Sequence, residues 1–365
     1  MSAGGNAHDR QAQAPGAVAR VVQVAQDERS AGCAARVAPD ERGIDAGSVA
    51  PRVTAVVVTW RGEQWIESCL RALLATHYDA LDVLVVDNGG RDSAAAVSRI
   101  ANSGGVAAAR CGGRVAVLAL ERNFGFAGGA NRGIALAAAR GADIVALVNQ
   151  DCIVDADWLA PLVSTLIHDR DVGVVGATLF DDDGVTLQHA GGVVAANGLT
   201  SHIGRGNRRA KAVAASAINH DVDYVCGALI ALRVDTWKRL GPLDERYFPA
   251  YFEEVDFCVR AREAGLRVLY VPASQGRHAE ACSSDGASSS LYLRRYHRSR
   301  LRFVAHHLLG SGSASAWLRA ELNWLLRLRR WREIAPVLAA YGQLPRLLAE
   351  RRCEAARACR EAASG

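Results

Sequence analysis

The sequence predicts an α/β protein built on a doubly wound, mainly parallel sheet. Three observations predict it. Continuous β-branched runs recur without polar alternation, as strands buried on both faces require. Segments with helical apolar spacing separate them. Between residues 53 and 149 the two types alternate as β-α-β-α-β-α-β, the order that parallel strands joined by crossover helices demand.

The first strand is "VTAVVVTW", beginning at Val53. "GEQWIESCLRALLAT" follows, with Trp65, Ile66, Cys69, Leu70 and Leu73 at helical spacing. "LDVLVVDN" is the second strand, "SAAAVSRIANSGG" a helix and "VAVLAL" the third strand. "GGANRGIALAAARG" is a helix closed by the C-cap glycine Gly141, and "DIVALVN" is the fourth strand. The alternation then weakens. "VGVVGATLFD" and "CGALIALRV" read as later strands, the Gly/Ala/Arg-rich segment 190–220 as a mobile loop, and "EVDFCVRAREAGL" as a helix ending at Gly265. Residues 1–50 lack apolar periodicity and read as disordered, apart from a short strand at "ARVVQVA". The expected organisation is a disordered segment 1–50, a folded domain 51–305, and a helical, arginine-rich extension 306–365.

Composition narrows the function classes. Half of the 365 residues are hydrophobic and 22% charged, enough for a sizeable core. A formal charge of +5 is mild and gives no reason to expect nucleic acid as a partner. The nine cysteines include no C-x-x-C pair, against both a zinc ribbon and a disulfide framework. No apolar signal core and no run of 18 apolar residues occur, so a cytoplasmic protein is expected.

In a doubly wound sheet, ligands sit beyond the carboxyl ends of the strands. That makes Thr59-Trp60, Asp87-Asn88 and Asn149-Gln150-Asp151 informative. Asp87, in "VVDNGGRDS", suits a base N–H or a ribose hydroxyl, or else caps the next helix. The turn "RNFGFAGGANRGI", with Asn123, Gly125 and Gly128, offers backbone N–H groups to an anion or is a plain tight turn. It lacks the glycine spacing of dinucleotide-binding and P-loop enzymes. Asp151 suits Mg²⁺ or Mn²⁺ shared with a diphosphate, or a helix cap. Glu253, Glu254 and Asp256 crowd a helix start, where the dipole favours acids. Crowding among Tyr247, Phe248, Tyr251 and Phe252 also suits a general base of raised pKa.

In this order the blocks resemble the family 2 glycosyltransferases, in their rhamnosyltransferase-like branch, over roughly residues 53–305. "VDNGGRD" is similar to that family's "VDNGSxD", with Gly90 in place of serine. "NFGFAGGANRG" is similar to "NxGFAGGxNxG", "NQD" to the strand-end acid motif, and "EEVD" to the "ExD" helix start. The resemblance implies a GT-A fold, a nucleotide-diphosphate sugar donor and inversion at the anomeric carbon. It implies that Asp87 holds the nucleobase, with Thr59, Asn123, Gly125, Gly128 and Asn149 on the nucleotide-sugar side. Asp151 would hold a metal–diphosphate, with His278 nearby. Glu254 stands where the family commonly has an aspartate base, leaving Glu253 and Asp256 as competitors. Gly227, in Cys226-Gly227-Ala228, falls on the acceptor side. "YHRSRLRF" resembles "YYxxRNxLxF" and puts Arg298 at a diphosphate-binding arginine, or on a solvated helix, with Ser299 at the asparagine. The acceptor implied is a cell-surface glycan or a lipid-linked sugar. A non-catalytic nucleotide-sugar-binding or scaffold subunit is the competing class.

Trp317, Trp324 and Trp331 recur every seven residues among leucines and arginines. An amphipathic helix of this kind either packs its tryptophan stripe on the folded domain or lies on an anionic membrane surface.

Overall fold

A computed structural model describes residues 20–23, 50–89, 115–208, 218–280, 289–309 and 314–364. Arg20–Gln23 form β1, paired antiparallel with β4 (Val115–Ala119), so the short N-terminal strand is present. The rest of 1–50 and the helix expected at "SAAAVSRIANSGG" lie outside the described residues.

β2 (Val53–Thr59) shows how composition sets the layers. All seven of its residues are buried. Ala55 and Val57 face α1 (Ile66–Leu74) and α3 (Leu159–His168), whereas Val56 and Val58 face α2 (Gly125–Ala139) and α5 (Glu253–Glu263). Burying a Val or Leu contributes about 1.5–3 kcal/mol. With both faces covered, an apolar run without alternation is the sequence that fits. β2 pairs in parallel with β3 (Leu81–Asp87) and β5 (Ile144–Asn149), and β3 with β4. Chain direction reverses its march across the sheet between β2 and β5, which is where the ligand crevice of such a sheet opens.

Beyond β5 the sheet departs from the expected parallel pattern. The spatial order is β1-β4-β3-β2-β5-β12-β7-β13-β11, with β7 at Val172–Phe180, β11 at His220–Asp221, β12 at Leu229–Arg233 and β13 at Arg267–His278. β12 runs antiparallel to both β5 and β7. Its amino end therefore lies beside the carboxyl end of β5, and the Asn149 N–H donates to the Ala228 carbonyl at 3.0 Å. Short strands complete the edge: β6 (Cys152–Val154) on β13 and β8 (Leu187–His189) on β7.

The segment 190–220, expected as a mobile loop, carries a hairpin of β9 (Gly192–Val194) and β10 (Thr200–His202). Gly198 turns it at φ +75°, and Asp223 accepts the Val194 N–H at 2.9 Å. Residues 209–217 of that segment are outside the described residues.

The glycines of α2 serve packing. A Cβ at Gly133 would lie 2.4 Å from Val56 Cγ1, and one at Gly129 would lie 2.7 Å from Val58 Cγ1. One helical turn apart, they let α2 approach the sheet closely.

α4 (Val234–Leu240) follows β12, and the C-terminal region is helical as expected: α6 (Ser290–Phe303), α7 (Ala314–Arg327), α8 (Trp331–Tyr341) and α9 (Leu344–Ser364). Leu301, Val304, Leu325, Val337 and Leu344 form a core of their own. Arg300, fully buried, ties α6 to Glu321 of α7 and donates to the Asn197 carbonyl of the hairpin at 2.8 Å. The tryptophan stripe is split. Trp317 and Trp324 pack on this core, but α7 ends at Arg327 and Trp331 starts a new helix, 61% exposed.

Candidate active site

The carboxyl edge of the sheet gathers the strand-end residues. Thr59 and Asp87 are register partners across β2 and β3, and both are buried. On the other side of β2, Val58 is in register with Asn149 of β5. Gln150 bridges the switch point: its Oε1 accepts the Trp60 N–H at 2.9 Å and its Nε2 donates to the Trp60 carbonyl at 3.1 Å. Gly62 has no Cβ because Gln150 occupies that space, 1.9 Å from where one would sit.

Asp151 follows directly, and β13 brings His278 beside it through the His278–Cys152 pairing. His278 Nε2 lies 3.3 Å from Asp151 Oδ1, both side chains buried. The ring is oriented by Gln188 of β8. Gln188 Nε2 donates to the His278 carbonyl and to Asp181 Oδ1, each at 3.0 Å, which fixes the amide. Its Oε1, 2.8 Å from His278 Nδ1, then accepts the Nδ1 proton. A neutral ring held this way carries its lone pair on Nε2, toward Asp151 and the Asn149 amide at 3.2 Å. A carboxylate and an imidazole lone pair converging on one point, with an outer hydrogen bond setting the tautomer, fit a divalent cation. Among the described residues no group of three such donors occurs. A cation here would complete its shell with phosphate and water oxygens, as Mg²⁺ and Mn²⁺ do.

The acids of α5 occupy different environments. Tyr251 (φ +84°) and Phe252 (φ +75°) precede the helix in left-handed conformations that cost non-glycine residues about 1–2 kcal/mol each. Strain of this kind, held by surrounding structure, is characteristic of sites. Glu254 is partly buried and lies over Gly227, whose missing Cβ would be 3.5–3.7 Å from its side-chain carbons. Burial raises the Glu254 carboxyl above the usual range, against the pull of the Glu254, Val255 and Gly227 N–H groups. Glu253 is buried, with Oε2 lacking any hydrogen-bond partner among the described residues, and burial and then Glu254 push its carboxyl well up. Asp256 is otherwise engaged. Burial would raise it, but His307 Nε2 and Arg260 Nε, each at 2.8 Å, hold it below the usual range. It is a structural ion pair on α5, set apart from Glu254.

Glu253 supplies a pH-dependent prediction. The unfolded carboxyl ionises in the ordinary glutamate range, the folded one only at higher pH, so folding stability is lost as pH rises between the two. Glu253→Gln removes that loss. Thermal denaturation is expected to find the variant level with the parent near pH 4 and more stable near pH 8.

Two sets of expected nucleotide-sugar contacts have bonds within the protein. The N–H groups opening α2 are taken by the protein: Phe124 N–H by Asn88 Oδ1 at 2.9 Å, Gly125 N–H by Asn123 Oδ1 at 2.7 Å, and Phe126 N–H by the Pro249 carbonyl at 2.8 Å. Asn123 and Gly125 thus build the turn, and Gly128 gives room to Phe124, 2.7 Å from where its Cβ would be. Arg298 donates to the Phe248 carbonyl and Ser299 to the Ala250 carbonyl at 3.4 Å, so both brace the loop ahead of α5, where a diphosphate contact was expected of Arg298. Gln188, which orients His278, escaped sequence reasoning. The available signal was the short apolar-polar stretch "VTLQHA" after an Asp-Gly turn.

Residues 51–303 match the family described as glycosyltransferase like family 2, and the chain belongs to that family. Its mixed α/β sheet with flanking helices is the GT-A form of that fold. The protein y4gI of Sinorhizobium fredii is 28% identical over 239 residues, covering 64% of this chain and 25% of its own length. The chain thus spans about a quarter of that relative. The N-acetylglucosaminyl-diphospho-decaprenol L-rhamnosyltransferase of Mycobacterium tuberculosis is 26% identical over 290 residues, covering 74% of this chain and 88% of its own. Among solved structures, the chain is similar to the mannosyltransferase PcManGT from Pyrobaculum calidifontis in complex with GDP-Man and Mn²⁺. The TM-score is 0.49 at 18% identity, covering 81% of this chain and 88% of that one.

Proposed function

We propose that the chain is an inverting glycosyltransferase that moves a sugar from a nucleoside-diphosphate sugar to a hydroxyl of a cell-surface glycan or lipid-linked acceptor. The observation that carries this reading is the convergence on one sheet edge of the Asp151–His278 pair and of Glu254, a carboxyl of raised pKa. Asp87 and Thr59 take the nucleobase and ribose. Asp151 and His278 hold a divalent cation, Mg²⁺ or Mn²⁺, which when bound neutralises charge on the departing diphosphate. Glu254 accepts the proton of the acceptor hydroxyl as that oxygen bonds to the anomeric carbon. The bond from that carbon to the diphosphate oxygen breaks, its electron pair leaving with the nucleoside diphosphate. Gly227 keeps the acceptor side low beneath Glu254.

A rhamnose donor and a polyprenyl-diphosphate-linked acceptor are supported by the name of the Mycobacterium tuberculosis relative. No described helix is long and apolar enough to cross a membrane, and we place the work at the cytoplasmic face, with peripheral attachment. The test screens thermal stability against UDP-, GDP- and dTDP-sugars with and without Mn²⁺, then assays nucleoside diphosphate release with acceptor present. One donor is expected to stabilise the fold in proportion to the logarithm of its excess, and to be consumed. Binding without release in the presence of a range of acceptors would favour a non-catalytic scaffold subunit.

A further inference from the structure

The turn between α7 and α8 is an unusual piece of surface. Seven consecutive residues, 326–332, are exposed. Three of them are large and apolar: Leu326 is 44% exposed, Leu328 55% and Trp331 61%. The other four are Arg327, Arg329, Arg330 and Arg332. Arg330 pairs with Glu333 and stacks 4.9 Å over the Trp324 ring. Among the described residues no acid lies within ion-pair reach of Arg327, Arg329 or Arg332. Behind the turn, Leu325 and Val337 are fully buried, so the projecting residues stand on a rigid base.

We infer that this turn is a lipid-docking surface that seats the chain on an anionic bilayer. Leucine and tryptophan side chains enter the headgroup boundary while the interleaved arginines meet lipid phosphates. Charge complementarity selects this occupant. Four cations sit within seven residues, three of them with no acid in ion-pair reach among the described residues, and a layer of lipid phosphates supplies the opposite charge they lack. An interfacial anchor requires that mixture, and tryptophan favours the interfacial depth. The inference deepens the peripheral attachment proposed above, but it rests on exposed residues alone and stands whichever sugar is transferred.

The test needs no donor and no acceptor. The full chain is sedimented with phosphatidylcholine vesicles, with and without phosphatidylglycerol. Binding is expected only where phosphatidylglycerol is present, and added salt is expected to release it. Exchanging Arg329 and Arg332 for Ser together is expected to weaken partitioning about thirtyfold, at roughly fivefold per arginine. Leu328→Ser combined with Trp331→Ser is expected to weaken it by at least about tenfold. All four positions are exposed, so the variants keep the fold. Failure to bind anionic vesicles at low salt, or binding undiminished in both variants, overturns the inference. So does self-association lost in the same variants without any lipid binding, which would make the turn an interface between copies.

Discussion

Glu254→Gln is expected to slow sugar transfer by about 10²–10⁴-fold, the usual contribution of a positioned general base. The amide keeps the shape of the side chain and its seat over Gly227, so donor binding and thermal stability should change little. The competing acids are distinguished by their surroundings. Glu253 is buried away from solvent, and Asp256 is committed to His307 and Arg260. Because burial raises the Glu254 carboxyl, the parent enzyme should lose activity as pH falls through that raised value, where the base becomes protonated. The Gln variant should lack this limb. Measuring kcat against pH for both proteins checks the assignment. A Gln variant with parental turnover would remove Glu254 from the chemistry.

The second large effect is at Asp151. Asp151→Ala is expected to lower transfer by about 10²–10³-fold, as loss of a charge-stabilising group at a leaving oxygen does. It should also abolish the Mn²⁺-dependent part of donor binding, read by calorimetry on the same protein. The fold should persist. The Asp151 carbonyl still accepts the Ala279 N–H at 3.2 Å, and His278 keeps its hydrogen bonds with Gln188. Retained transfer by a folded variant would contradict the metal–diphosphate role. The Asp151 carboxylate lies 3.3 Å from His278 Nε2, both side chains buried, so a modest fall in Tm is compatible with the assignment and a loss of folding is not.

The β-branched runs made the first four strands of the parallel sheet legible, because burial on both faces leaves a one-letter signature that survives without any alignment. Strand direction was not legible. "LIALR" reads the same whether it runs up or down, and β12 is antiparallel because the chain re-enters the sheet from the site edge at Gly227. The β9–β10 hairpin reads as a loop because its strands are only three residues each and only partly covered, held by Asp223 and Tyr296 from elsewhere in the chain. At the site, the strand-end acids Asp87 and Asp151 follow from the sheet rule alone. Which of three acids stands free at α5 does not, since His307, 51 residues on from Asp256, makes the decision. The glycine motif carries two meanings for a physical reason. Glycine serves a phosphate and a close helix–sheet contact equally well, and Val56 and Val58 claim Gly133 and Gly129 for the second. The seven-residue tryptophan repeat likewise assumed one helix where Arg329, at φ +55°, interrupts two.

The central claim is that one crevice receives the whole donor, with its base toward Asp87, its diphosphate toward Asp151 and His278, and its anomeric carbon toward Glu254. A crystal structure of the chain with a nucleoside diphosphate and Mn²⁺ tests this most directly. The account predicts the ion between Asp151, His278 and the diphosphate oxygens, with the terminal phosphate facing the Glu254 carboxyl across Gly227. A nucleotide bound elsewhere, or one lying here with Glu254 turned away from the terminal phosphate, would contradict it.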